Sequence, residues 1–379
     1  MAVTATLRDY TYIENSEQFR WLAVGLADEP LIAIDTESNS MYAYEGVVCL
    51  IQLSTRQADY IIDPLAIDDL SPLGVLMNNP EIETLLHAAE YDLMLLKRDY
   101  DFQINNLYDT MVAARVIGYT YHGLGNLLER YFDVESDKSH QQDNWAQRPL
   151  PEDSLRYAQM DTHYLPRLRD ILTEELQAMG RWEEAQELFE EAAQVPAAEP
   201  AFDPDGFWKI GRKKRLSRRK MGRLQQVYLL RERLAQSEDR PVFQIFSNRA
   251  LVNIVHKNPR TLKELSDVRG LHGGQIRRHG DAILQALEAG RDADLPDMPP
   301  ALNAPEPDLL DRYTVLHQWR KQKGLERGVE SDIVLPKSVL WRLARNIPTS
   351  AEALAQTEGI GPQRLALYTE DLLTVLRTL

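Results

Sequence analysis

Short apolar runs bounded by polar, turn-prone residues punctuate the first part of the chain. Leu31-Ile32-Ala33-Ile34, Val47 to Leu53 and Tyr60-Ile61-Ile62 have this form and predict the first three strands of a sheet. Thr84-Leu85-Leu86 predicts a further strand, while Tyr91 to Arg98, Tyr108 to Ile117 and Gly123 to Phe132 predict helices. Asp133 to Pro151 predicts an irregular loop, and Glu152 to Gly180 carries apolar residues at the spacing of one or two helices. Strands and helices mixed in this way predict an α/β domain with a mixed sheet. An acidic, Ala-rich stretch follows to about Pro200, and beyond it the pattern is purely helical.

A linker is expected at about 194–208. A clearer one spans Leu295 to Pro307, where five of thirteen residues are proline. The segments flanking the second linker repeat each other at an offset of 89 residues: Leu251 falls on Leu340, Pro259 on Pro348, Gly270 on Gly359 and Leu287 on Leu376. Thr261 with Glu264, and Thr349 with Glu352, each fit a capping box. Two related helical bundles in tandem follow. With 379 residues in all, the expected units are 1–200, 209–293 and 306–379.

Charge divides the chain along the same line. Residues 1–200 hold 13 Lys/Arg and 36 Asp/Glu, a balance of -23; residues 201–379 hold 30 and 22, a balance of +8. Lys209 to Arg223 contains nine basic residues and no acid. This run is either an electrostatic footprint for phosphates or a solvated helix face. Its members Arg212, Lys213, Lys214, Arg215, Arg218 and Arg219, with Arg277 and Arg278 further on, are the candidate phosphate contacts. The turns Gly270-Leu271-His272-Gly273 and Gly359-Ile360-Gly361 offer backbone N–H groups for a phosphate, or are glycine helix stops. The single cysteine, Cys49, lies in an apolar run and is expected to be a buried thiol. No apolar run approaches the ~18 residues of a membrane span, and the first residues lack a signal-peptide pattern, so a cytoplasmic protein is expected.

Three stretches carry candidate chemistry. In Ile32-Ala33-Ile34-Asp35-Thr36-Glu37 a strand would present both acids on one face, about 7 Å apart. His87-Ala88-Ala89-Glu90-Tyr91-Asp92 places an acid after a strand end. Tyr157-Ala158-Gln159-Met160-Asp161 places a phenol and a carboxylate one helical turn apart. Four carboxylates in one pocket would repel a phosphodiester unless divalent cations cancelled their charge. Oxygen-only ligands favour Mg²⁺ or Mn²⁺, and a pair of ions about 4 Å apart stabilises both the attacking and the leaving oxygen of an in-line displacement. The phenol of Tyr157, with an ordinary pKa of about 10, suits orienting a water better than taking its proton.

The order Asp-x-Glu, Asp and Tyr-x-x-x-Asp resembles the tyrosine subclass of the DEDD 3′-to-5′ exonucleases. Cys49 to Ser54, Ile62-Asp63-Pro64-Leu65, Asp109-Thr110, Asp137-Lys138-Ser139 and Trp145 with Arg148-Pro149-Leu150 narrow the resemblance to the ribonuclease D family. The helical repeats resemble HRDC domains. This resemblance implies a ribonuclease H-like fold with two helical-bundle domains behind it, and release of nucleoside 5′-monophosphates from RNA 3′ ends. It makes Asp35, Glu37, Asp92 and Asp161 ligands of two metal ions, Tyr157 the water-orienting phenol and His87 a supporting residue. Asp109 falls outside the metal set and is expected to cap a helix at Thr110. Lys138 contacts either substrate phosphate or a neighbouring loop acid. Ser38 and Asn144 depart from the family's usual residues. The resemblance also implies tRNA precursors among the substrates, and, apart from the resemblance, no membrane partner and a monomer are expected. A DNA exonuclease and a non-catalytic RNA-binding scaffold are the competing expectations.

Overall fold

The computed structural model describes residues 7–135, 139–198, 202–293 and 306–379. A six-stranded sheet organises the first part, in the order β1-β4-β3-β2-β5-β6. Its strands are β1 (Tyr10–Ile13), β2 (Leu31–Ser38), β3 (Val48–Ser54), β4 (Asp59–Ile62), β5 (Glu83–Leu86) and β6 (Leu107–Asp109). β3 and β4 pair antiparallel, whereas β1 with β4, β2 with β5 and β5 with β6 are parallel, so the sheet is mixed. Around it lie α1 (Ser16–Leu26), α2 (Ser71–Met77), α3 (Glu90–Tyr100), α4 (Thr110–Ile117), α5 (Leu124–Phe132), α6 (Glu152–His163), α7 (Leu165–Ala178) and α8 (Trp182–Ala193).

The apolar run of β2 is explained by burial on both sides. Ile32 and Ile34 pack into one core with Phe19, Leu53 and Leu96, whereas Leu31 and Ala33 pack into another with Leu127, Leu168 and Leu172. Asp35 and Glu37 continue the row of Leu31 and Ala33 past the end of that core, which is where a strand can put acids without stranding them among hydrocarbon. Cys49 is buried, as expected.

The sheet differs from expectation at two places. Tyr108 does not begin a helix: Leu107–Asp109 form the edge strand β6, and Asp109 ends it by capping α4, its carboxylate accepting from the N–H groups of Met111 and Val112. An earlier strand, β1, precedes the three anticipated ones.

The basic half begins with α9 (Phe207–Lys213) and continues with α10 (Arg218–Glu238), α11 (Val242–Ile245), α12 (Asn248–Lys257), α13 (Leu262–Ser266) and α14 (Gly273–Asp292). After residues 294–305 come α15 (Pro307–Arg327), α16 (Ser331–Val334), α17 (Lys337–Asn346), α18 (Ala351–Ala355) and α19 (Pro362–Leu376). Helices α10 to α13 recur as α15 to α18 at the same 89-residue offset, residue for residue. Buried Arg231 donates to Phe246 O, and Arg320, at the equivalent place, to Leu335 O. Thr261 caps α13 by accepting from Glu264 N. In the second copy the cap is Ser350, accepting from Ala353 N, and not Thr349 as the capping-box pattern suggested.

Among the described residues, those within 1–37, 48–198 and 303–379 form one compact unit, and those within 38–47 and 199–302 another. Within the first unit, α8 holds the second helical repeat by a stripe of acids. Glu184 pairs with Arg327, Glu191 pairs with the buried Arg364, and Glu187 accepts from Gln363 N at 2.7 Å. A Cβ at Gly361 would meet the Glu187 carboxylate, which would have to shift to admit it. The turn read as a possible phosphate site is therefore already filled, at the start of α19, by the chain's own anion. Within the second unit, Tyr44 N–H donates to Asp239, and Tyr44 packs against the core of the first repeat. No described helix is long and apolar enough to cross a membrane.

Candidate active site

β2, α3 and α6 bring the three chemical stretches together. Carboxylate oxygens of Asp35, Glu37 and Asp161 lie within 4.8 Å of one another. Asp92, on the first turn of α3, is not one of those three, yet its charge acts on Asp35, Glu37 and Asp161. One of its oxygens is held by Thr36, between the two acids of β2, through both the backbone N–H (3.1 Å) and the hydroxyl.

The turn that aims Asp92 is built by Asp109. Its carboxylate accepts from Ala88 N at 3.1 Å and Ala89 N at 2.8 Å while capping α4. Ala88 sits at φ 61, a left-handed conformation that costs a non-glycine residue roughly 1 kcal/mol. The two hydrogen bonds from Asp109 offset it. Thr110 Oγ1 donates to Leu86 O, so it accepts from His87 Nδ1, which lies 2.9 Å away and carries the ring proton. Burial pushes His87 down to about 4, and the ring is neutral. His87 thus supports the β5–α3 turn.

Helix α6 presents Tyr157 and Asp161 one turn apart and is gripped on its other side. Asp59 of β4 accepts from Gln159 Nε2 at 2.7 Å and lies 2.6 Å from His163 Nδ1, while Ser54 and Thr162 hydroxyls meet at 2.8 Å. Burial raises Asp59, but the His163 and Gln159 hydrogen bonds outweigh it and hold its carboxyl below the ordinary value. The loop before α6 is pinned by Arg148, which binds Asp63 and the carbonyls of Cys49 and Trp145. It lays Trp145 and His140 beside the Tyr157 ring, with centroids at 6.3 and 6.0 Å. Thr36, Asp59, Gln159 and His140 thus shape the site without having been singled out for it in the chain. For Asp63 and Arg148 the family-like stretches were the signal. For the Thr36–Asp92 and Asp59–Gln159 pairs, separated by 56 and 100 residues, no local signal exists.

The electrostatics are those of an acid cluster waiting for positive charge. Burial first, then repulsion from Asp92, Asp161 and Glu37, raises Asp35 well above the carboxylate range. Burial and the Asp161 charge push Glu37 up to about 9. Burial and the Asp92 charge push Asp161 to about 7, and burial pushes Asp92 to about 6 despite the Thr36 hydrogen bonds. Burial, then Asp161 and Glu37, raise the Tyr157 phenol well beyond its usual value, so it keeps its proton. No Lys or Arg among the described residues forms an ion pair with these four acids. The donor set, all carboxylate oxygen, fits hard divalent cations.

A sign follows for stability. An acid raised by folding binds its proton more tightly in the folded state, so its contribution is present below the ordinary pKa of about 4 and is lost as pH rises through the folded value. The Tm of the chelated protein is expected to decline from about pH 5 to about pH 8, and Mn²⁺ is expected to reverse the decline at the upper end. Scanning calorimetry with chelator or Mn²⁺ measures both.

The basic candidates separate into groups. Lys213 and Lys214 line a groove of about 710 Å³ between α9 and α12, together with Lys209, Arg249, Asn253 and His256. Arg212 lies over the Trp208 ring, and Arg215, Arg218 and Arg219 are exposed but do not line that groove. Arg277 and Arg278 are on α14, where Arg278 pairs with Glu238. Lys138 lies outside the described residues.

Comparison with known proteins agrees with this geometry. A family model described as a 3′-5′ exonuclease matches residues 10–177, and the HRDC domain model matches residues 220–287 and 310–376. The Haemophilus influenzae protein named Ribonuclease D is 31% identical over 326 residues, 83% of this chain and 79% of that protein. Protein RRP6-like 3 of Arabidopsis thaliana is 37% identical over 172 residues, 45% of this chain, and the chain spans 19% of that longer protein. The crystal structure of Escherichia coli RNase D, an exoribonuclease involved in structured RNA processing, superposes with a TM-score of 0.72 at 25% identity, covering 98% of this chain and 99% of that one. Domain order, acid cluster and full-length similarity converge, and the chain belongs to the ribonuclease D family.

Proposed function

We propose that this protein is a cytoplasmic, monomeric 3′-to-5′ exoribonuclease that trims RNA 3′ ends, tRNA precursors among them, and releases nucleoside 5′-monophosphates. The observation that carries this is the meeting of Asp35, Glu37 and Asp161 within 4.8 Å beside a phenol that stays protonated. The proposed units are an exonuclease domain over 1–200 and HRDC-like domains over 209–293 and 306–379.

Asp35, Glu37 and Asp161, with Asp92 beside them, would hold two Mg²⁺ or Mn²⁺ ions, which supply the charge that neutralises the cluster and stabilises the attacking and leaving oxygens. Tyr157 donates its hydroxyl hydrogen to the attacking water and aligns it. Trp145 and His140 keep the ring from turning, and Asp59 fixes the helix that carries it. In the step itself the water oxygen joins the terminal phosphorus and the bond from phosphorus to the preceding 3′ oxygen breaks. One hydrogen of the water ends on that 3′ oxygen, so the nucleoside 5′-monophosphate departs and the shortened RNA is left with a 3′-hydroxyl.

The acidic half carries -23 by residue count and repels RNA outside this cluster, so the grip on the strand is assigned to the basic groove of the first repeat. Neutralising Lys213, Lys214 and Arg249 together is expected to raise KM about tenfold, leave kcat within about twofold, and reduce the dependence of log KM on log salt by roughly three. Steady-state kinetics across a salt series reads all three. Equal loss in kcat would contradict the gripping role.

The activity test uses end-labelled RNA and DNA of one sequence with Mg²⁺ or Mn²⁺. Mononucleotides from RNA, abolished by chelator, are the expected result. Faster release from DNA would favour a DNA exonuclease, since the carboxylate chemistry itself is indifferent to the sugar. No release from either polymer would favour a non-catalytic scaffold.

A further inference from the structure

The second helical repeat carries a cleft that the basic groove does not explain. Ser338, Trp341, Arg342 and Arg345 of α17 line about 320 Å³ there. Trp341 lies flat against Tyr313 of α15, with centroids 4.0 Å apart and planes 14° from parallel. Tyr313 continues the stack to His317 at 5.9 Å, and the Arg345 guanidinium lies 5.9 Å from the Trp341 ring centre. Trp341 and Tyr313 are each only half-buried, and Arg345 is exposed.

The internal repeat shows what is special about this place. Shifted by 89 residues, Ser338, Trp341, Arg342 and Arg345 fall on Arg249, Val252, Asn253 and His256, all of which line the basic groove of the first repeat. Both copies therefore open the same helix face. Their chemistry differs: Val252 becomes the indole of Trp341, and fully buried Leu224 becomes Tyr313, drawn partly out to lie under it. The bundle does not need the aromatic pair, because the first copy folds with Leu and Val at those positions. Arg342 is already committed, at 2.9 Å to Glu358, which leaves Arg345 as the exposed cation of the cleft.

We infer that this cleft is a stacking site for an unpaired base of single-stranded RNA, upstream of the 3′ end that enters the active site. The inference rests on RNA being the substrate, as proposed above. An indole backed by a phenol offers a flat face that every base can stack on, so the site tolerates any sequence, and Arg345 answers the adjoining phosphate. An acidic peptide would call for more exposed cations than Arg345 alone.

The test is fluorescence anisotropy on the full chain with chelator present, so that nothing is cut. Two labelled oligoribonucleotides of one length are compared, one intact and one abasic at every position except the terminal dinucleotide. The unmodified protein is expected to bind the intact strand about tenfold more tightly. Trp341→Val and Tyr313→Leu each install the residue of the first repeat. Both are expected to abolish that preference while leaving affinity for the abasic strand unchanged, and Trp341→Phe to retain most of it. Equal affinity of the unmodified protein for the two strands, or an intact preference in both variants, overturns the inference. A protein that shows the preference yet releases no nucleotide with Mn²⁺ would keep this cleft and lose the hydrolase.

Discussion

Replacing Asp161 by asparagine is expected to lower the rate of mononucleotide release by about 10³-fold or more while raising the Tm of the metal-free protein. The two effects have one cause. Asp161 is held among like charges in a half-buried cluster, and burial together with the Asp92 charge pushes it to about 7. Asparagine keeps the shape of the side chain and removes that repulsion, so the chelated fold gains stability at about pH 8, where the repulsion is greatest. It also removes a ligand oxygen, and the rate collapses. A substitution that merely damaged packing would lower rate and Tm together. Gel quantification of released nucleotide, beside a thermal melt with chelator, separates the two cases.

Tyr157→Phe is expected to reduce kcat by about 10²-fold with KM nearly unchanged. Phenylalanine preserves the ring and its packing against Trp145 and His140, and removes the hydroxyl alone. Burial and the charges of Asp161 and Glu37 lift the phenol far above its ordinary value, so no working pH ionises it. The fold-loss should therefore be the same across the accessible pH range. A deficit that grew or vanished along the pH–rate profile would mean that Tyr157 exchanges a proton in the reaction and does more than orient the water. Single-turnover kinetics at several pH values makes the comparison.

The parts of this site that were legible in the chain are those encoded by local periodicity. Ile32 to Glu37 showed a strand ending in paired acids, and the Tyr157–Asp161 spacing showed one helical face. The 89-residue repeat anticipated both helical bundles, and taken strictly it would have pointed to Ser350, which matches Thr261, as the cap of α18. Short edge strands were the weak point. β1 has four residues, of which only Ile13 is buried, and β6 has three that run directly into a helix. Pairing with a neighbouring strand makes them strands, and pairing is not local. The acids of α8 precede and enter a stretch that read only as acidic and Ala-rich. Glu184, Glu187 and Glu191 instead recur at the spacing of one helix face, and their partners Arg327, Gln363 and Arg364 lie more than 140 residues away. The Thr36–Asp92 and Asp59–Gln159 contacts were invisible for the same reason, because hydrogen bonds between distant segments leave no periodic trace.

Anomalous diffraction from crystals grown with Mn²⁺ tests the metal-dependent proposal most directly. Two manganese peaks about 4 Å apart, bordered by the carboxylates of Asp35, Glu37, Asp92 and Asp161, are the expected result. Manganese bound elsewhere, with those four side chains left uncoordinated, would contradict it.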